Sequence, residues 1–233
     1  EVVGSAIDEI AVGDKVYAAT PHATHAIFKP AESSWLKLPH GFRDDHAPFI
    51  RMALITLATL RPADIVAGEW LGIVGLGIVG NLGAQFGIHA GMNIIGVGRS
   101  IRRSEIAAQC GINHILTGKP DKIAADVEEI TDGEGCRFVL DTTGTMGGLK
   151  KAMAVASVGG TISVVGVPWQ SDPRVVATEI MQPLFSRYIT IQGGWEWGHP
   201  LRIREPGRAL PMTRFRHSVE GNAQYAADCI ASG

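Results

Sequence analysis

The feature that most restricts the fold of this chain is a change of hydrophobic period around residue 75. Trp70 to Val74 carries no polar side chain, the mark of a strand buried on both faces. The turn Gly75-Leu76-Gly77-Ile78-Val79-Gly80 follows, and Ile78 to Ala90 reads as a helix. Met92 to Val97 is a second buried strand. Strand, glycine turn, helix and strand in immediate succession make a βαβ unit, which commits the neighbouring strands to run parallel.

The same rhythm continues downstream. Arg103 to Gln109 reads as helix, His114 to Leu116 as a third strand, and Ala124 to Ile130 as helix. Phe138 to Leu140 is a fourth strand, Leu149 to Ser157 a helix, Thr161 to Val165 a fifth strand and Ile189 to Gln192 a sixth. This order predicts an α/β fold of the Rossmann type: a doubly wound parallel sheet with right-handed crossovers and helices on both faces. The flanks break the rhythm. Glu1 to Ala19 mixes short β-prone runs, His25 to Lys29 is another apolar run, and Pro30 to His40 is loop-like. Asp44 and Asp45 before Ala47-Pro48 signal a helix through about Leu60, ended by Arg61-Pro62. Three segments are expected: residues 1–53, a nucleotide-binding domain at 54–194, and residues 195–233.

Composition narrows the partners. Charged residues are 19% of the chain and the net charge is −2, too little for a broad electrostatic hold on nucleic acid or an anionic membrane. No apolar run reaches the roughly 18 to 20 residues that span a bilayer. Asp8, Glu9 and Asp14 near the start do not suit a signal peptide. The chain opens at Glu1, without Met, inside a strand-like run, as an excerpt would. Cys110, Cys136 and Cys229 are far apart and form no CxxC pair, so reduced thiols and a cytoplasmic setting are expected. The expected partner is a small molecule.

The turn itself carries the chemistry. Gly75 permits the tight bend, Gly77 lets the backbone approach a pyrophosphate, and Gly80 lets the helix pack close to the strand. The amides around Ile78 and Val79 then offer free N–H groups and the positive end of the helix dipole. A glycine loop without function, and other Rossmann ligands such as S-adenosylmethionine, are the alternatives. An NAD(H) site usually has an acid at the end of the second strand, for the ribose hydroxyls. Here that end reads Val97-Gly98-Arg99-Ser100. Glycine leaves room for a 2′-phosphate, and Arg99 and Ser100 can donate to it, with Arg102 and Arg103 adding to the field. Charge-assisted bonds contribute about 1.5 to 3 kcal/mol each, so NADP(H) is expected over NAD(H). The arginines as a merely solvated helix start are the alternative. Small residues at two other strand ends, Thr142 and Thr143, and Gly166 and Val167, leave space for the nicotinamide half. Thr142 and Thr143 serve equally well as caps of the next helix.

Together these segments resemble the medium-chain dehydrogenase/reductase family of zinc alcohol dehydrogenases and quinone reductases. The likeness rests on Val12-Gly13-Asp14-Lys15-Val16, the Gly75 to Gly80 turn, Asp132-Gly133-Glu134-Gly135, Asp141 to Gly144, Gly159-Gly160 and Ile189 to Gly193. It implies a truncated chain, in which remnants of a β-rich, GroES-like catalytic domain flank the nucleotide-binding half. It implies hydride transfer between NADP(H) and an alcohol or carbonyl compound. A zinc-independent quinone or enoyl reductase, and a non-catalytic nucleotide sensor, are the alternatives.

Zinc members bring a Cys ligand from the helix before the turn. Aligning on Thr56 puts Met52 there, and Met is a poor Zn²⁺ ligand, so zinc is not expected. His22 with His25, where the family opens a strand, and the cluster Asp44, Asp45, His46 lack metal-site spacing. Thr56 is a candidate neighbour of the nicotinamide by the same likeness, or a helix Thr bonded to its own backbone. Trp195 to His199 is a candidate substrate-cleft run or a surface loop. No catalytic residue is assigned. Ile189 to Gly193 resembles the edge strand through which family dimers join, so a homodimer is expected.

Overall fold

The structure is a computed structural model that describes residues 1–167, 169–196 and 217–232. Its contacts separate two compact units, Glu1–Pro62 with Glu196–Gly233, and Ala63–Trp195.

In the first unit, β1 (Val16–Ala18) pairs antiparallel with β2 (Trp35–Lys37), Tyr17 facing Leu36. β2 lies inside the stretch expected to be loop. The expected strand at His25 is absent: residues 25–29 have no strand, and Ile27 is fully open to solvent. Helix α1 (Ala47–Leu60) starts on Pro48 and buries Ile50, Ala53, Leu54 and Leu57, one stripe at helical spacing. That stripe packs on α7 (Val219–Ser232), whose buried Ala223, Ala226 and Ala227 let the two backbones come close. Arg61 closes the pair, donating to the Asn222 side chain at 2.9 Å and lying 5.0 Å from the Tyr225 ring centroid. Packing on α7 keeps α1 whole within this unit, which therefore runs to Pro62.

The second unit is a six-stranded parallel sheet. Its strands are β3 (Trp70–Val74), β4 (Asn93–Val97), β5 (His114–Leu116), β6 (Cys136–Asp141), β7 (Ala156–Val164) and β8 (Thr190–Gly193). They lie in the order β5-β4-β3-β6-β7-β8, every pair parallel. Between them run α2 (Ile78–His89), α3 (Ile101–Gln109), α4 (Pro120–Ile130), α5 (Met146–Val155) and α6 (Ala177–Ser186). All six expected strands are present, and the doubly wound order is the Rossmann one. Ile73, Ile95, Val139, Leu140 and Ile162 fill the sheet's core with essentially no exposure.

Several element ends differ from the sequence reading by a few residues, and one helix was not expected at all. Helix α5 stops at Val155, and Ala156 and Ser157, expected helical, begin β7. Arg187 explains the early stop: its guanidinium donates to the carbonyls of Met153, at 2.8 Å, and Ala156, groups that a longer helix would bond internally. Helix α6 was not anticipated, since it contains Pro183 and exposes Met181 and Phe185, which hides its apolar period.

Chain direction across the sheet reverses between β3 and β6, so a crevice opens beyond the carboxyl ends of those strands, at Val74 and Asp141. α5 covers the sheet beneath it at close range. A Cβ on Gly72 would stand 2.6 Å from the Val155 methyl Cγ1 and 3.2 Å from Val139 Cγ2. Gly72→Ala is therefore expected to lower stability by about 1–3 kcal/mol through overpacking, read as a reduced midpoint in thermal unfolding.

Candidate functional site

The crevice is floored by the glycine turn between β3 and α2. Gly75 has φ +99°, a conformation that favours glycine, and its amide donates to the Val97 carbonyl at 2.9 Å. A Cβ on Gly80 would lie 1.9 Å from the Gly75 carbonyl oxygen and 3.0 Å from Thr142 Oγ1. The first and third glycines thus serve contacts inside the protein. Gly77 differs. It is the extended N-cap of α2 with no side-chain cap, and a Cβ there would meet only Arg103 Nη1, at 3.9 Å. The first helical bond of α2 runs from the Asn81 amide to the Gly77 carbonyl, so the amides of Ile78, Val79 and Gly80 precede the ladder. Ile78 is 57% exposed, and no acid sits in the first turn. An open helix start with forward-facing amides fits a diphosphate.

At the end of β4 the structure gives Gly98 a second reason to be glycine. A Cβ there would press on Leu76 Cδ1 at 3.0 Å and reach Ser104 Oγ at 3.4 Å. Leu76, the buried second residue of the turn, occupies part of the room left by the missing acid. Ser100 caps α3, its oxygen accepting a long 3.5 Å bond from the Arg103 amide. Arg99, Arg102 and Arg103 are exposed around this cap. Of the three, Arg103 is the one whose guanidinium reaches over the phosphate turn. Ser104, one helical turn beyond Ser100, was not singled out in the sequence; its i+4 spacing was the available signal.

The other half of the crevice is built at the ends of β6 and β7. The Thr142 hydroxyl donates to the Gly75 carbonyl at 2.9 Å and lies 3.2 Å from the Val74 carbonyl. Thr143 turns inward: its amide and its hydroxyl both donate to Asp141 Oδ1, at 2.9 and 2.7 Å. The α5 N-cap is Thr145, whose side chain accepts from the Gly148 amide at 3.0 Å. Neither Thr142 nor Thr143 is that cap, although the Thr143 hydroxyl lies 3.2 Å from the Thr145 hydroxyl. Gly166 backs directly on Gly144, since its Cβ would lie 2.4 Å from the Gly144 amide. Val167 is 39% exposed beside them. Asp141, missed in the sequence, is 1% exposed, and burial pushes its carboxyl up while the two Thr143 bonds pull it down. The signal for it was a charged residue directly after the apolar run Phe138-Val139-Leu140.

The other candidates belong to the first unit. Thr56 is buried and donates to the Ala53 carbonyl at 3.0 Å, its own helix backbone. His22 and His25 are exposed. Asp44 pairs with Lys15 at 2.6 Å, and Asp45 with Arg43. Met52 lies half-buried on α1, and among the described residues no three His, Cys, Asp or Glu side chains gather as a metal site. Glu196 accepts from Arg51 at 2.5 Å, while His199 lies outside the described residues.

Comparison with known proteins adds a family. The family described as zinc-binding dehydrogenase matches residues 79–206. D-guloside 3-dehydrogenase of Escherichia coli is 28% identical over 164 residues, 70% of this chain and 47% of that protein. A probable zinc-binding alcohol dehydrogenase of Mycobacterium tuberculosis is 32% identical over 182 residues, 76% of this chain and 46% of that one. The chain thus spans about half the length of the curated relatives it matches. A solved mycobacterial protein complexed with NADPH shares the fold, with a TM-score of 0.66 at 18% identity over 85% of this chain and 57% of its own.

The turn depends on the hydroxyl that covers its Gly75 carbonyl. Thr142→Val leaves that half-buried acceptor without its donor, which costs about 1–3 kcal/mol, and Thr142→Ser restores it. Chemical denaturation of the two variants checks this; equal stability would show that the bond contributes nothing.

Proposed function

This chain belongs to the zinc-binding dehydrogenase family, and we propose that it binds NADP(H) in an oxidoreductase that moves a hydride between that cofactor and an alcohol or carbonyl compound. The observation that carries the reading is the open start of α2, with Gly77 uncovered except for the Arg103 guanidinium. Its forward amides and helix dipole suit the pyrophosphate. The acid-free end of β4 suits a 2′-phosphate, with Arg99, Ser100 and Arg103 as its donors. The backbones of Thr142, Thr143, Gly166 and Val167 border the nicotinamide half. Bound there, the nicotinamide supplies the hydride chemistry, and the protein supplies position and electrostatics. The names of the similar proteins, dehydrogenases of an alcohol and of a guloside, support a hydroxyl-bearing substrate or its carbonyl partner. The NADPH complex of the mycobacterial neighbour supports the cofactor.

This reading includes no zinc, because Met52 stands where the family resemblance places a Cys and Met is a poor Zn²⁺ ligand. Three free cysteines, with Cys136 buried and its thiol pushed up by burial, support a reducing, cytoplasmic setting. Among the described residues no helix is long and apolar enough to cross a membrane.

β8 is one edge of the sheet, Tyr188 just before it is exposed, and so are Met181 and Phe185 on α6. An unpaired edge strand can be completed by a second copy, so the protein is a homodimer in this reading. Light scattering at micromolar concentration is expected to return twice the chain mass; the mass of one chain would refute the dimer.

Cofactor choice tests the central proposal. NADPH is expected to bind at least about tenfold tighter than NADH, a gap of one charge-assisted bond or more. Arg99→Ala should remove most of that gap while leaving NADH affinity in place, whereas Arg103→Ala, which removes the guanidinium lying over the phosphate turn, should weaken both cofactors. Equal affinities in the unaltered protein, with no change in either variant, would overturn the NADP(H) assignment.

A further inference from the structure

The carboxylate of Asp141 is the one buried charge at the carboxyl edge of the sheet among the described residues, and nothing in the turn or the cofactor reading uses it. It is 1% exposed at the last position of β6, paired in register with Val74, the last residue of β3. Burying a carboxylate is unfavourable unless its oxygens are hydrogen-bonded. Here one oxygen, Oδ1, takes both the amide and the hydroxyl of Thr143. The main-chain carbonyl of the same residue accepts the amides of Val165 and Gly166, each at 2.9 Å. Asp141 therefore ties together both strand ends that border the nicotinamide half of the crevice.

The tie extends in two directions. Towards α5, the Thr143 hydroxyl lies 3.2 Å from the Thr145 hydroxyl, which caps the helix. The backbone of Gly148 lies so close that a Cβ there would be 1.8 Å from Thr143 Oγ1. Towards the phosphate turn, Thr142 sits on the Gly75 carbonyl, and a Cβ on Gly75 would meet Thr143 Cγ2 at 3.0 Å. Thr143 is thus wedged between the turn and α5, and the shorter contact of its hydroxyl, 2.7 Å, is the one it donates inward to Asp141, with the Thr145 hydroxyl at 3.2 Å on its other side.

We infer that Asp141 is a positioning residue for the nicotinamide half of the cofactor, holding Thr143 inward so that the 142–144 backbone and the Gly166–Val167 backbone stay set against each other. This rests on the NADP(H) reading above. Asp141 touches no reacting atom in this role; its side chain acts through Thr143, while the bonds to the β7 end come from its main-chain carbonyl and persist in any variant. The adenine half, formed by Gly77, Arg99, Ser100 and Arg103, has no bond to Asp141.

Two ligands separate positioning from general loss of structure. NADPH reads the whole crevice, and 2′,5′-ADP reads the adenine half alone. Calorimetric titration of the full chain should show the NADPH Kd rising about tenfold or more in Asp141→Ala and Thr143→Val, with the 2′,5′-ADP Kd moving less than about twofold. Thr143→Ser keeps the donating hydroxyl and should restore NADPH affinity. Should Asp141→Ala fail to fold, the Thr143→Val and Thr143→Ser pair carries the test alone. Parallel losses for both ligands, or unchanged NADPH affinity in Thr143→Val, overturn the inference. If the unaltered chain binds 2′,5′-ADP and NADPH no better than adenosine, the NADP(H) reading itself is wrong and this role falls with it.

Discussion

One close approach underlies the second unit: the first turn of α2 rests on the carbonyl of Gly75 with no side chain between them. A Cβ at Gly80 would sit 1.9 Å from that oxygen, far inside any tolerated contact. The helix can start this near to β3 only because both residues are glycine, and the near start is what leaves its amides pointing out over the crevice. The carbonyl so enclosed is then satisfied by the Thr142 hydroxyl. Backbone geometry, packing and hydrogen bonding agree at this point, and the ligand chemistry follows from that agreement.

The sheet order gives the approach its meaning. Because β4 lies on one side of β3 and β6 on the other, the chain leaves the phosphate turn in one direction and returns in the other. The strand ends beyond Val74 and Asp141 cannot be bridged by a connection, so they remain open. Asp141 organises one bank of the opening and the β4 end organises the opposite one. At that opposite bank the absence of an acid has two consequences that reinforce each other. It removes a charge that would repel a 2′-phosphate, and it admits Leu76, which packs the turn from below. Arg103, carried back across the turn by α3, then adds positive charge over Gly77.

Much of this was legible in the chain. Unbroken apolar runs such as Trp70 to Val74 mark strands covered on both faces, and the glycine spacing marks the turn. The element at 177–186 was not legible, because Pro183 interrupts the pattern and the apolar Met181 and Phe185 lie off the buried face that Ile180 holds. The end of α5 was not legible either. It depends on Arg187, 31 residues beyond Ala156, donating to carbonyls that no local preference names. His25 to Lys29 shows the opposite error, an apolar run with no partner strand to pair with.

The sequence by itself determined the class of the fold, the phosphate turn and the missing acid at the second strand end, since each follows from local period or residue type. Only the tertiary structure decided which side chains reach the site. Arg103 lies over Gly77, Thr142 serves the turn carbonyl, and Gly166 meets the Asp141 carbonyl, because elements distant in sequence are brought within a few ångströms there. Hydrogen bonds and contacts act over such distances in space, whatever the separation along the chain.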